Sequence, residues 1–163
     1  MAQRTQAEKG PIDKAMQAVA RTKLGGKLFI SVFPAIDKRL MPLTRGRLRV
    51  ALGQPILLLH ARGAKSGQPR TTPLLYCARG DQIILVASKA GADHNPAWYH
   101  NLVAHPEIDV EIAGRRRAVR AREAQGEERD ELWRFANDIY NGYEVYATRA
   151  GGRQIPVMVL DPR

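Results

Sequence analysis

Residues 62–73 read Arg62-Gly63-Ala64-Lys65-Ser66-Gly67-Gln68-Pro69-Arg70-Thr71-Thr72-Pro73. A short apolar run, Pro55-Ile56-Leu57-Leu58-Leu59-His60, precedes this stretch, and a second, Leu74–Ala78, follows it. The pattern is strand, polar loop, strand, which starts a β-rich fold. Two glycines let backbone N–H groups turn towards an anion, and Lys65, Arg62 and Arg70 add full positive charge. That chemistry suits a phosphate or a cluster of carboxylates. The bland alternative is a polar hairpin loop with ordinary surface cations, because the stretch is neither a Walker loop nor a dinucleotide fingerprint.

Working outward, 163 residues with 44% hydrophobic content describe one globular domain with a substantial core. The single cysteine, Cys77, excludes an internal disulfide, fits a reducing compartment, and sits in an apolar run as a buried thiol. A net charge of +10 asks for an anionic partner: nucleic acid, an acidic membrane face or an acidic small molecule. No zinc-ligand spacing, helix-turn-helix signature or aromatic-glycine RNA motif is present, so nucleic acid is not expected. His60, His94, His100 and His105 show no ligand spacing, and no metal is expected either.

The chain divides into residues 1–49, a tail with a basic amphipathic helical segment, and residues 50–163, a barrel domain. Met1–Gly10 is polar and is not a signal peptide. Pro11–Thr22 carries Ala15, Met16, Val19 and Ala20 at helical spacing, Gly25-Gly26 breaks it, and a second helical segment covers 27–41. Its apolar part, Leu28–Ile36, is far below the ~20 residues that span a bilayer. Lys23, Lys27, Lys38 and Arg39 flank it, so it suits an anionic membrane surface, its own domain or a second subunit. Residues 44–53 form a basic connector.

From Pro55 onward the spacing predicts about six strands separated by turns. They are Ile56–His60, Thr72–Ala78, Gln82–Ser88 after an Arg79-Gly80-Asp81 turn, Ile108–Ile112, Arg115–Glu123 after Ala113-Gly114, and Gln154–Leu160. A helix follows Asn95 as cap and Pro96 as first residue, and another covers Glu127–Ile139 with an acidic first turn. Few long helices between strands favour a small antiparallel barrel over a βαβ fold.

Three further constellations stand out. In Val86–Tyr99 a strand ends in Ser88-Lys89, a small-residue loop follows, and a helix begins beside Trp98, so an anionic group could sit near a flat ring. The alternative is a capped helix with Trp98 in the core. Tyr140, Tyr143 and Tyr146 share an arc of about 120° if helical, and phenols can line an aromatic pocket, donate hydrogen bonds and deliver a proton. Gly142 makes an irregular helix an equal alternative, and an ordinary packing stripe is the plain one. Arg115, Arg116, Arg117, Arg120 and Arg122 form the densest positive run, a solvated strand face or a surface for headgroups or an acidic tail.

Gly63–Arg70 with Thr72-Pro73-Leu74, then Ala87–Ala92, then Asn95–Leu102, resembles the deazaflavin-dependent nitroreductase family of actinobacteria over roughly residues 50–163. The resemblance implies a mainly β split β-barrel with flanking helices, related to flavin-binding oxidoreductases. It also implies reduced coenzyme F420 as hydride donor to a small-molecule acceptor: a quinone, an enone or a nitroaromatic. The phosphate and γ-glutamate tail would meet Lys65, Ser66, Gly67, Gln68, Pro69, Arg70 and Thr72, with Lys89 as further charge. The deazaflavin ring would lie near Ala87, Ser88, Ala97, Trp98, Tyr99, Asn101 and Tyr143. Catalytic roles fall to Ser88, Tyr140, Tyr143 and Tyr146, with Tyr143 the first choice as proton donor. Ala64 stands where an arginine is common, and Leu75 where some members carry a pocket tyrosine. The rivals are an FMN oxidoreductase of the same barrel class and a non-catalytic F420 carrier. The implied setting is cytoplasmic, at the inner face of the membrane or free of it, with a homodimer as an expected assembly.

Overall fold

The computed structural model of the chain describes residues 55–163, and the tail, helical segments and connector expected over 1–53 lie outside the described residues. The first strand, β1, is Ile56–Arg62, followed by β2 (Pro69–Leu75), β3 (Cys77–Arg79) and β4 (Gln82–Val86). A short 3-10-type turn at Lys89–Gly91 leads to helix α1 (Ala97–Ala104), the hairpin β5 (Glu107–Ile112) and β6 (Arg115–Glu123), helices α2 (Gly126–Ile139) and α3 (Gly142–Arg149), and β7 (Val157–Pro162).

All seven strands form one antiparallel sheet in the order β2-β1-β5-β6-β7-β4-β3, curled into a half-barrel. Its inner face buries Leu57 and Leu59 of β1, Val110 of β5, Val119 of β6 and Leu160 of β7, with Trp98 and Leu102 of α1 packed on them. Alternation explains this: Ile108 and Val110 face in while Glu107, Asp109 and Glu111 face out. A second core lies on the other side of β4 and β7, where Ile84, Val86, Val157 and Val159 are covered by Leu132 and Ala136 of α2 and Tyr143 and Tyr146 of α3. Strands β4 and β7 are buried on both faces, so they read as continuous apolar runs rather than alternating ones.

Several boundaries differ from the sequence expectation. The Thr72–Ala78 run is two strands, because the chain breaks at Tyr76 and each half pairs with a different neighbour, β2 with β1 and β3 with β4. The first of these strands already begins at Pro69. Strand β4 stops at Val86, short of Ser88. The closing strand starts at Val157, after Pro156, whose carbonyl accepts a single bond from the Ala87 N–H at 2.9 Å. At α1, Pro96 is the cap position in extended conformation and Ala97 is the first helical residue; Asn95 does not cap.

Candidate active site

The loop between β1 and β2 is folded on itself: Gly63 N–H donates to Gln68 O at 2.9 Å and Gly67 N–H to Gly63 O at 2.8 Å. A Cβ at position 63 would lie 2.5 Å from Ser66 Oγ, so a larger residue there would force that hydroxyl to turn away. Lys65 and Arg70 make no ion pair among the described residues. Register places Arg70 opposite Ala61 and Thr72 opposite Leu59, on the face that leads into the inner core. The Ala64 N–H donates to Asn101 Oδ1 of α1 at 2.8 Å. That bond joins the cationic loop to the second turn of α1, 37 residues away, so the side chain missing at Ala64 leaves its backbone tie intact. Below the loop an open hollow of about 520 Å³ is lined by His60, Arg62, Arg70, Asp109, Arg116 and Arg163, among others. Its mixed signs suit an anion less well than the loop does.

After β4 the chain makes a left-handed turn, with φ of 46° at Lys89, 51° at Ala90 and 81° at Gly91. For Lys89 and Ala90 this conformation costs roughly 1–2 kcal/mol each. Arg153 offsets the strain. Its Nε donates to Ala92 O (3.0 Å), its Nη1 to Asn95 Oδ1 (2.5 Å) and Ala87 O (3.4 Å), and its Nη2 to Ser88 O (3.0 Å). Burial lowers its pKa from the usual arginine value, and the charge of Asp93 works in the opposite direction. Lys89 Nζ meets His94 Nε2, and His94 Nδ1 meets Asp93 Oδ1 at 2.6 Å. The hydrogen bond from His94 holds the Asp93 carboxyl below its ordinary range.

Helix α3 presses on this turn: a Cβ at Gly91 would come within 2.6 Å of Tyr146 O and 2.7 Å of Arg149 Cβ. The tyrosines do not share one regular helix. Tyr140 ends α2, Asn141 breaks the chain direction, and α3 restarts at Gly142. Lacking a Cβ, Gly142 lets the Tyr140 ring fold back over it. The three rings still cluster, with Tyr140 edge-on to Tyr143 at 5.1 Å and the Tyr140 and Tyr146 hydroxyls 3.0 Å apart. Tyr143 is 4% exposed in the second core. Burial first, then Cys77, Tyr140 and Tyr146, push its phenol well above the ordinary value. Burial likewise raises the Cys77 thiol to about 11.

Two of the expected ring-side residues are committed elsewhere. Trp98 is 9% exposed and packs in the inner core, leaving its backbone as what it offers a ligand. Tyr99 O–H donates to Glu123 Oε2 at 2.7 Å, and burial, then Glu123, raise its pKa to about 12. Leu75 packs against the second core. The structure therefore ties the cationic loop to Asn101 of α1 and seats the Lys89–Gly91 turn against α3 at Tyr146, while Ala87 belongs to the inner core rather than to the phenol cluster. Sequence reading missed Arg153. Its partners lie 58 to 66 residues earlier, and no local pattern announces such a contact.

A curled antiparallel half-barrel, with a cationic loop between β1 and β2 and a phenol cluster packed against the turn after β4, has the architecture of the split-barrel F420 reductases. Residues 39–162 match the family described as F420H(2)-dependent quinone reductase, and the chain belongs to that family. It is 42% identical over 125 residues to an F420H(2)-dependent quinone reductase from Mycobacterium tuberculosis strain H37Rv, covering 74% of this chain and 83% of the relative. Among solved structures it is similar to an F420-H2 dependent reductase (FDR-A), with 37% identity and a TM-score of 0.60 over 66% of this chain and 94% of that one. Another, described as a domain-swapped dimer, has 34% identity and a TM-score of 0.63 over 78% of this chain and 94% of that one. Membership makes the chain an oxidoreductase whose cofactor is reduced F420. The residues present fit that group: uncompensated Lys65 and Arg70 on a closed cradle suit its phosphate and glutamate carboxylates.

Proposed function

We propose that this chain reduces a quinone with hydride from F420H2, the coenzyme's acidic tail lying on Lys65, Ser66 and Arg70. The match of residues 39–162 to the quinone reductase family carries this reading. When bound, the reduced coenzyme supplies the hydride, and the protein supplies position, electrostatics and the proton. Ser88, Ala97 and Asn101 border the ring, with Gly67, Gln68, Pro69 and Thr72 shaping the tail cradle.

Reduction of a quinone carbonyl adds a hydride and a proton, so a hydroxyl must meet the developing oxyanion. The Tyr140–Tyr146 hydroxyl pair suits that task better than Tyr143, whose phenol is enclosed by Cys77, Trp133 and its neighbours. Tyr143 forms the wall behind them, and Ser88 orients the acceptor.

The experiment is a binding titration of the purified protein with F420 alongside FMN, followed by oxidation of the reduced coenzyme with menadione. The expected result is F420 binding, weakened at least tenfold in Lys65→Ala, with turnover reduced more by Tyr140→Phe or Tyr146→Phe than by Tyr143→Phe. Preference for FMN would favour the flavin reading, and binding without turnover the carrier reading. A quinone acceptor also gives the basic segment 27–41 a use at an anionic membrane on the cytoplasmic side; co-sedimentation with phosphatidylglycerol vesicles tests it. Among the described residues no helix is long and apolar enough to cross a membrane. The relative described as a domain-swapped dimer supports a homodimer, which sedimentation velocity would detect.

A further inference from the structure

We propose that Arg153 is a positioning residue for hydride transfer, a role that rests on the reading of Ser88 and Lys89 given above. Its one guanidinium gathers the carbonyls of Ala87, Ser88 and Ala92 and the side chain of Asn95, so a single cation spans the whole connection from β4 to α1. No carboxylate lies within ion-pair distance of it among the described residues. Its donors are spent on backbone and amide oxygens, which is what a group shaping a loop does. Arginine is needed for geometric reasons, because its planar fork reaches several acceptors at once while a lysine ammonium is a point donor.

The bonds also fix which way the loop's own donors face. A peptide group is planar and trans, so aiming the Ala87 and Ser88 carbonyls at Arg153 turns the N–H groups of Ser88 and Lys89 away from it. Neither N–H takes a partner among the described residues. The same bonds hold Lys89 in its left-handed conformation and keep Gly91 against Tyr146, the residue whose hydroxyl pairs with Tyr140. Loosening the fork therefore disturbs the coenzyme side and the proton side together.

The test uses the full chain with Arg153→Lys and Arg153→Ala, read three ways. Backbone amide resonances of Ser88, Lys89 and Ala92 are recorded in the coenzyme-free protein, then the F420 dissociation constant, then single-turnover oxidation of the reduced coenzyme by menadione. In Arg153→Lys these amides shift, the dissociation constant rises about tenfold, and hydride transfer in the bound complex slows about a hundredfold, the usual scale for a misplacement of about 1 Å. Guanidinium chloride at tens of millimolar restores part of the Arg153→Ala rate and does nothing for the wild type; a residue that matters for folding alone would show no such rescue. If Arg153→Ala does not fold, Arg153→Lys decides the matter. Folded variants that bind and turn over like the wild type overturn the proposal and leave the hydride-transfer function standing. A wild-type chain that binds no F420 overturns both, and its own silence distinguishes that case.

Discussion

Replacing Gly91 with alanine places a methyl group where the chain has no room for one. The backbone there has φ of 81°, a conformation that costs an alanine about 1–2 kcal/mol. The new Cβ would sit 2.6 Å from the Tyr146 carbonyl oxygen and 2.7 Å from Arg149 Cβ. Ordinary contacts begin near ~3.5 Å, so α3 has to retreat by most of an ångström, and overpacking of this kind costs about 1–3 kcal/mol. Together they predict a loss of roughly 2–5 kcal/mol, which for a chain of this length lowers Tm by roughly 5–15 °C. Gly151→Ala is the control: its φ is 63° and nothing lies within 4 Å of the added methyl, so only the backbone part applies. Thermal unfolding followed by circular dichroism measures both variants. The retreat of α3 also separates Tyr146 from the Ser88 turn, so menadione reduction at a temperature where Gly91→Ala is folded should fall more than tenfold. Equal Tm values for the two variants would refute the close-approach argument.

Gly142→Ala tests the opposite balance. Helix propensity favours alanine by about 1 kcal/mol, while the new Cβ displaces the Tyr140 ring and breaks its hydroxyl contact with Tyr146; Tm should hold within a few degrees while quinone turnover drops several-fold. Asn101→Ala removes the acceptor of the Ala64 N–H; at about 1 kcal/mol for the lost bond the F420 dissociation constant should rise about fivefold in an absorbance titration. Alkaline pH should destabilise the fold. Burial raises Cys77 from 9.0 to about 11, and burial with Glu123 raises Tyr99 from 10.0 to about 12. Tyr143 moves in the same direction. Each folded-state group therefore keeps its proton to higher pH than in the unfolded chain, so the stability is full below about 9 and is lost as pH rises through about 9–12. Urea midpoints across that range check it, and Tyr99→Phe should flatten the upper part.

What the sequence made legible was local. The β5–β6 hairpin follows from strict alternation and an Ala113-Gly114 turn, both with positive φ, and Gly80 likewise turns β3 into β4. The glycine-lysine loop and the helix after Pro96 were found because they carry their own punctuation. Long-range contacts were not visible. Nothing around Tyr76 shows that Leu75 and Cys77 belong to strands on opposite edges, because the break depends on which partner each half meets. Asn95 looked like a cap and is instead an acceptor for a guanidinium from the far end of the chain. Trp98 looked equally able to serve a ligand or the core, and only the inner face of the sheet decides for the core. The tyrosine spacing announced a cluster, while the helix break that brings the Tyr140 and Tyr146 hydroxyls together needed Gly142 and the packing around it.

Because β2 and β3 are consecutive yet stand at opposite ends of the sheet, a single residue, Tyr76, fastens both margins of the curl. Adding or deleting one amino acid there would turn every side chain of one margin inside out, since facing alternates with each step. The glycine-lysine loop carries no such phase: a change of length there breaks its own Gly63–Gln68 closure but leaves β1 and β2 in register. Diversification of this scaffold, natural or by design, is thereby channelled into the loop proposed to hold the coenzyme, with the clasp itself held at constant length.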